Sequence, residues 1–514
     1  MRRGARDPVR RFVHVPRPTR PRTHVLEHSP PIRRLLSAKI RSRLLAFTLL
    51  ATPIALACAP DGPGLVERPA VIPDAVLIRH VDVLDVAAGR IAPDRDVLLK
   101  GERIAALGLG GELSSPGPTL EIDGRGATLV PGLIDSHGHV GLDSGPSWEL
   151  AIPDVDAILR AYLYAGVTTV LDPGDSSPEA VARRDEISRG ERLGPTIYTA
   201  GRLVTAPGGH PIALLEATLP WWLRWWAVPR VADAIATPAE ARALVEARAG
   251  EGVDFLKLVV DRIPESAPRM DVATLDAAVA AAHQLELRAV AHIGDVRDAL
   301  ETGRAGVDAW MHVIYKERIP DELIGTLAGF GIPMVPTLVV WHSYADLLPG
   351  PRPSTKLERE TVPADVLASF DHPPADGALI QAFGPYLALL ERSEPAWAEN
   401  VQRLHGAGVT MLAGSDTQPG VFPGAGLHRE IAFLHAAGLT RAEAIRAATL
   451  APARFLANSD DPDFGEIAIG KRADLVLVEG NPLASLDALA DIRAVILRGV
   501  PLERNAIAPT HERP

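Results

Sequence analysis

Two imidazoles one residue apart, His137 and His139, close an apolar run in Val130-Pro-Gly-Leu-Ile-Asp-Ser-His-Gly-His-Val140. Residues i and i+2 of an extended chain point to the same side, so the pair can converge on one metal ion. The same setting recurs further along, with a ligating residue type inside or at the end of an apolar run. Lys257 lies in Asp254-Phe-Leu-Lys-Leu258, His292 ends Ala-Val-Ala-His, His312 ends Trp-Met-His, and Asp416 ends Ala-Gly-Ser-Asp. Each has an ordinary reading of its own: a core histidine, a helix-capping aspartate, a salt-bridged lysine. Lys257 is the odd member, because an ammonium in an apolar strand is costly unless paired or modified.

These stretches resemble the amidohydrolase superfamily, whose first barrel strand ends in His-x-His after Pro-Gly-Leu-Ile-Asp. Gly470-Lys-Arg-Ala-Asp-Leu475 and Gly480-Asn-Pro482 are similar to its tail, and the resemblance spans about residues 76–506. It implies a binuclear centre of two divalent ions, zinc by default, held by His137, His139, His292, His312, Asp416 and a carbamate formed from Lys257 and CO2. Such a centre would lower the pKa of a bridging water and polarise the scissile carbonyl, with Asp416 as general base and then acid. The implied activity is hydrolysis of an amide or peptide bond by a prolidase-like Xaa-Pro or Xaa-Arg dipeptidase or an acyl-amino-acid amidohydrolase; lactones and esters are also within the superfamily's range. The first alternative is a mononuclear deaminase or cyclic-amide hydrolase of the imidazolonepropionase type. It would keep His137, His139, His292 or His312 and Asp416 and leave Lys257 unmodified, but the glutamate base expected near the fifth strand is not evident in His292-Ile-Gly-Asp295. The second alternative is a surface-anchored binding protein, disfavoured because no ligand position is lost. His210, in Thr205-Ala-Pro-Gly-Gly-His210, resembles a Gly-Gly-His turn of related enzymes, and with Tyr315 it is a candidate substrate contact. His428 and Glu430 also recur in the superfamily, with supporting roles or helix-surface roles as open as catalytic ones.

The elements that must position these residues alternate strand and helix after Gly132. Strand-like runs end at His139, Asp172, Gly201, Val260, Ile293, Tyr315, Val340 and Asp416. Eight such units predict an α/β fold, a (β/α)8 TIM barrel, in which chemistry sits at the C-terminal strand ends. Thr237-Pro-Ala-Glu240 marks one helix start, with an N-cap, Pro in the first turn and Glu at N3. Short strands after Ala75 (76–78, 81–85, 96–100, 103–107) and after the barrel (465–478, 492–497) predict a small flanking β-sandwich domain built from both ends of the chain. The expected domains are 76–130 and 458–506 for the sandwich, 131–457 for the metal-dependent hydrolase barrel, and 341–394 for an insert at the barrel mouth.

The remaining features concern placement in the cell. The net charge of −11 is uneven: residues 1–58 hold 13 Lys and Arg against Asp7 and Glu27, leaving about −22 for the rest. So acidic a body is a poor nucleic-acid binder. Leu44–Ala57 is apolar but short of the roughly 20 residues of a membrane span, and with its basic flank it reads as an export signal. Ala55-Leu-Ala-Cys58 resembles a lipobox, and Cys58 is the single cysteine of the chain. The expected protein is an exported bacterial-envelope lipoprotein anchored at Cys58, with residues 59–75 as tether, a small-molecule or short-peptide substrate and scope for a homo-oligomer. Four of the eight tryptophans lie in Pro220-Trp-Trp-Leu-Arg-Trp-Trp226, with three readings: packing, a lid, or a membrane-interface contact.

Overall fold

The computed structural model describes residues 74–115, 117–146, 151–345, 353–371 and 378–509. The expected signal segment, Cys58 and all but the last two residues of the expected tether lie outside the described residues.

Two assemblies of strands share one stretch of chain. The first is an eight-stranded sheet of β1 (Ala75–Asp85), β2 (Arg90–Lys100), β3 (Arg103–Leu109), β4 (Thr119–Asp123) and β5 (Ala127–Pro131), completed by three strands from the far end of the chain. The first half of β1 pairs with β4 and its second half with β5, with register breaks at Ile78/Val81 and Val81/Val83 against β2. The two short strands expected at 76–78 and 81–85 are therefore one bent strand. Its inner face holds Val76, Ile78, Val81 and Val83 in a core with Val97, Leu99, Ile104 and Leu129.

The second assembly is the barrel. Its parallel strands are β6 (Leu133–Asp135), β7 (Val167–Asp172), β8 (Thr196–Thr199), β9 (Leu203–Thr205), β10 (Ala232–Ala234), β11 (Phe255–Val259), β12 (Arg288–His292), β13 (Ala309–Met311) and β14 (Met334–Val335). β9 and β10 are short additions on the excursion that follows β8, and β9 pairs with β11. Hydrogen bonds join the pieces: Asp254 N–H to the Thr199 carbonyl, Met334 N–H to Thr410, Leu412 N–H to Met334 and Ser136 N–H to Ala413. Residues 410–413 thus occupy the eighth position, held by single bonds rather than a regular ladder. Period-2 alternation sorts the side chains. Ile134, Leu171, Phe255, Val290, Ala309, Met311, Val335 and Leu412 fill the interior, while Leu256 and Leu258 pack outward on the helices.

The chain ends supply β15 (Leu475–Glu479), β16 (Ile492–Leu497) and β17 (Val500–Leu502), and β15 pairs antiparallel with β5. Gly132 alone separates β5 from β6.

Several boundaries differ from the sequence-based expectation. The apolar run 127–134 is not one strand but two, because Pro131-Gly132 carries the chain from sheet to barrel. The run expected to continue as strand to Val340 turns helical at Leu338–Ala345 after Pro336 and Thr337, the latter at φ 50°. Only 475–479 of the expected 465–478 strand is extended. Helix Pro238–Glu251 starts where expected: the Thr237 hydroxyl accepts the Glu240 N–H, and Gly252 ends it in the left-handed region at φ 80°. The expected insert is helical in its described parts, at Lys356–Thr361, Ala364–Ser369 and Ala378–Gly406.

Candidate metal centre

The loop that leaves β6 and the loop 413–417 are tied to each other before any ligand is considered. Buried Asp135 accepts the Ser415 hydroxyl at 2.5 Å, the Ser415 N–H at 2.9 Å and the His137 N–H at 3.1 Å. Asp416 N–H donates to the His137 carbonyl at 2.5 Å, and His139 N–H donates to Thr417 Oγ1 at 2.6 Å. Gly414 makes this approach possible: a Cβ there would stand 2.8 Å from His137 Cβ and 2.4 Å from Val335 Cγ1.

His137, His312 and Asp416 offer ligand atoms that all lie within 4.8 Å of one another, all three buried. Asp416 Oδ1 is 3.3 Å from His137 Nε2 and 3.0 Å from His139 Nε2. The His292 ring lies 4.0 Å from that of His312. Lys257 projects from β11 into the barrel interior, one layer above Phe255, and is 1 % exposed. The structure therefore brings five of the six expected ligands into one contiguous cluster of side-chain contacts. The sixth, Lys257, joins them as a buried charge in electrostatic reach of His137, His292, His312 and Asp416.

Two observations fit a metal-binding role. First, Lys257 Nζ and His137 Nδ1 are buried without a hydrogen-bond partner, a state polar atoms rarely occupy unless something else satisfies them. Second, two imidazoles have Nδ1 anchored by a neighbouring polar atom, as metal-ligating histidines do. His139 Nδ1 lies 3.1 Å from the Gly174 carbonyl, with Nε2 toward Asp416. His312 Nδ1 lies 2.7 Å from Thr337 Oγ1. His312 and Asp416 both hold positive φ, 76° and 53°, a conformation that costs about 1–3 kcal/mol in a non-glycine residue.

Electrostatics divide the cluster. Burial removes the charge from His137, holding it near about 3, and depresses His312. For His139 burial works the same way, but hydrogen bonding to Asp172 and Asp416 outweighs it and raises the imidazole to about 10. Asp416 stays ionised: burial opposes the charge, and the facing imidazoles of His137, His139 and His312 overcome it. Burial pulls the Lys257 ammonium down to about 7, so a large share of it is the neutral amine near neutrality.

Further partners have no motif in the sequence. Asp261, just beyond β11, is fully buried and accepts the Tyr315 hydroxyl at 2.5 Å and Lys316 Nζ at 2.6 Å; His292 Nε2 lies 3.3 Å away. Tyr315 is packed on Trp341 with ring centroids 3.7 Å apart, and its hydroxyl also accepts from Tyr386 at 2.9 Å. An acidic residue one step past a strand end was the available signal for Asp261. Asp261→Asn is expected to weaken metal binding or turnover by roughly 10–100-fold, the effect of losing an orienting carboxylate behind a ligand, measured by metal titration and kcat/KM.

His210 lies half-buried beside His292 with ring centroids 5.1 Å apart, and desolvation keeps it neutral, lowered to about 3. The other two candidates stand away from the ligands. His428 Nε2 lies 2.8 Å from the Ala165 carbonyl, at the end of helix Val155–Tyr164. Glu430 accepts the Val339 N–H at 2.9 Å, and burial raises its carboxyl to about 8.

A model of the amidohydrolase family matches residues 128–502. A crystal structure of an Xaa-Pro dipeptidase with methionine bound in its active site superposes with a TM-score of 0.67 at 25 % identity, over 84 % of this chain and all of that one. A candidate prolidase from Bifidobacterium longum gives 0.63 at 26 % identity, over 84 % of this chain and 95 % of that one. An uncharacterised protein of Mycobacterium tuberculosis is 27 % identical over 387 residues, 73 % of this chain and 85 % of its own length.

Proposed function

Because this chain belongs to the amidohydrolase family and is a metal-dependent hydrolase of carbon–nitrogen bonds, we propose that it is a binuclear dipeptidase or acyl-amino-acid amidohydrolase. The observation that carries this reading is Lys257: a buried, partnerless amine, partly neutral near pH 7, in electrostatic reach of three imidazoles and a carboxylate. Only a neutral amine attacks CO2. The new N–C bond and the loss of one proton to water yield an anionic carbamate, which converts the least favourable buried charge in the site into a ligand. His137, His139, His292, His312, Asp416 and that carbamate would hold two divalent ions, zinc by default. When bound, such ions acidify water and polarise a carbonyl.

The chain's own residues supply the rest. Ionised Asp416 takes the proton of the attacking water and returns it to the leaving nitrogen. Gly174 and Thr337 hold the rings of His139 and His312 in register. His210, neutral and with Nδ1 unpartnered, is placed to donate to a substrate carbonyl or carboxylate. Trp341 and Tyr315 form a dry wall behind His312, whose ring centroid is 5.3 Å from that of Trp341. The similarity to an Xaa-Pro dipeptidase supports a substrate with a free carboxylate on a small amino acid. We also propose export, with lipid attachment at Cys58.

The test is metal content by mass spectrometry of the full chain, followed by a screen of dipeptides and N-acyl amino acids. Two ions per chain and turnover of a C-terminal carboxylate substrate are expected. One ion per chain, with deamination or cyclic-amide opening instead, would replace this reading by the mononuclear one.

A further inference from the structure

The loop excursion that brings His210 into the site continues as two helices, Ile212–Thr218 and Trp221–Val231. The second helix buries none of its residues. Trp221, Trp222, Trp225 and Trp226 are exposed by 79 %, 54 %, 75 % and 46 %, while Trp310, Trp341 and Trp397 are at most 2 % exposed. Spacings of three and four place the first four on adjoining positions of the helix surface. A packed lid or core helix would cover at least some of these rings.

We propose that this helix is a membrane-docking face, seated in the headgroup layer of a phospholipid bilayer. Three observations favour lipid over a protein partner. The patch consists of indoles rather than aliphatic side chains, and an amphipathic ring with an N–H suits the interface between headgroups and acyl chains. The helix carries Arg224 and Arg230 and no acidic residue, and Arg230 stacks on Trp226 at 4.4 Å, which suits anionic headgroups; Glu179 lies in electrostatic reach of Arg230. Finally, the apolar run ending at Ala57 lies a short tether from Asp74, where the described fold begins. At roughly 3.3–3.6 Å per residue, extended chain of that length reaches up to about 60 Å. Docking here would orient the strand-end face that carries His210 toward the bilayer, where an amphiphilic substrate is concentrated.

The experiment is tryptophan quenching of the full chain by vesicles of phosphatidylethanolamine and phosphatidylglycerol with brominated acyl chains, beside unbrominated vesicles. The quencher reports only indoles at the bilayer, so binding through the basic N-terminal segment does not imitate the signal. Wild type is expected to lose up to about half its emission, the share of indoles on this helix. W221S/W225S, which changes the two most exposed rings and keeps the fold by near-ultraviolet circular dichroism, is expected to lose most of that quenching. Vesicle-bound wild type without quenching overturns the proposal. So does equal quenching in the variant, or shielding of the same indoles from iodide in vesicle-free solution at rising protein concentration, which assigns the face to a second copy. None of these readouts depends on hydrolase activity or on lipid at Cys58.

Discussion

Lys257→Ala is expected to bind close to one divalent ion instead of two and to lower kcat/KM by about a thousandfold or more, the scale on which loss of transition-state charge stabilisation is felt. The reason is geometric. The five other candidate ligands come from strand ends or the loops that follow them, whereas Lys257 comes from within β11, so no neighbour can move in to replace its reach. A second consequence isolates the amine itself. In degassed, metal-free buffer the folded-state value of about 7 lies below the ordinary lysine value of 10.5. Below pH about 7 the folded protein bears the full cost of a buried ammonium. Between about 7 and 10.5 the unfolded chain binds the extra proton, so folded stability rises with pH, at up to about 1.4 kcal/mol per pH unit. Above that window the cost is gone. Metal-free Lys257→Met is therefore expected to be more stable than metal-free wild type at pH 7, with the gap closing toward pH 10.5, as read by urea unfolding. A pH-independent gap, or full activity in Lys257→Ala, would assign Lys257 to packing alone.

The second large effect falls on Asp416. Asp416→Asn keeps the volume and the N–H to the His137 carbonyl but removes the base, and kcat is expected to fall by about 10⁴-fold. KM for a dipeptide should change far less, because the loss is in proton transfer. The variant also removes the charge that sustains the protonated His139. In metal-free protein the His139 imidazole, raised to about 10 by Asp172 and Asp416, is expected to titrate markedly lower in the variant, followed by histidine ring NMR. Retained turnover in Asp416→Asn would place the general base elsewhere, with Glu430 excluded by its position behind Val339.

Much of this centre was legible in the residues, for a physical reason. A ligand at a strand end leaves a local trace: an apolar run broken by one polar side chain that has no local partner. His137, His139, His292, His312 and Asp416 all leave that trace, and Lys257 leaves a stronger one by breaking the run from inside. What orients them leaves none. Thr337 behind His312 and Gly174 behind His139 are brought in by the closing of the barrel, and each is an ordinary loop residue in its own neighbourhood. The strand boundaries blurred for the same cause. A run such as Ile332 to Val340 has one hydropathy whether it enters the barrel or turns into a helix beneath it, and Thr337's left-handed backbone decides which. The exposed tryptophans were ambiguous because an aromatic face reads the same whether it packs inward or outward.

The single residue between β5 and β6 also governs the order in which the molecule can be completed as it is synthesised. β5 has only two register pairs with β1, at Asp82–Thr128 and Val83–Leu129, and five with β15, from Ala127–Glu479 to Pro131–Leu475. A nascent chain can assemble every barrel unit and still hold β5 with one bare edge until residue 475 has left the ribosome. The strand beside the segment that carries His137 and His139 is thus latched last, by the tail, and a chain halted before β15 leaves β5 with a bare edge next to its candidate metal ligands.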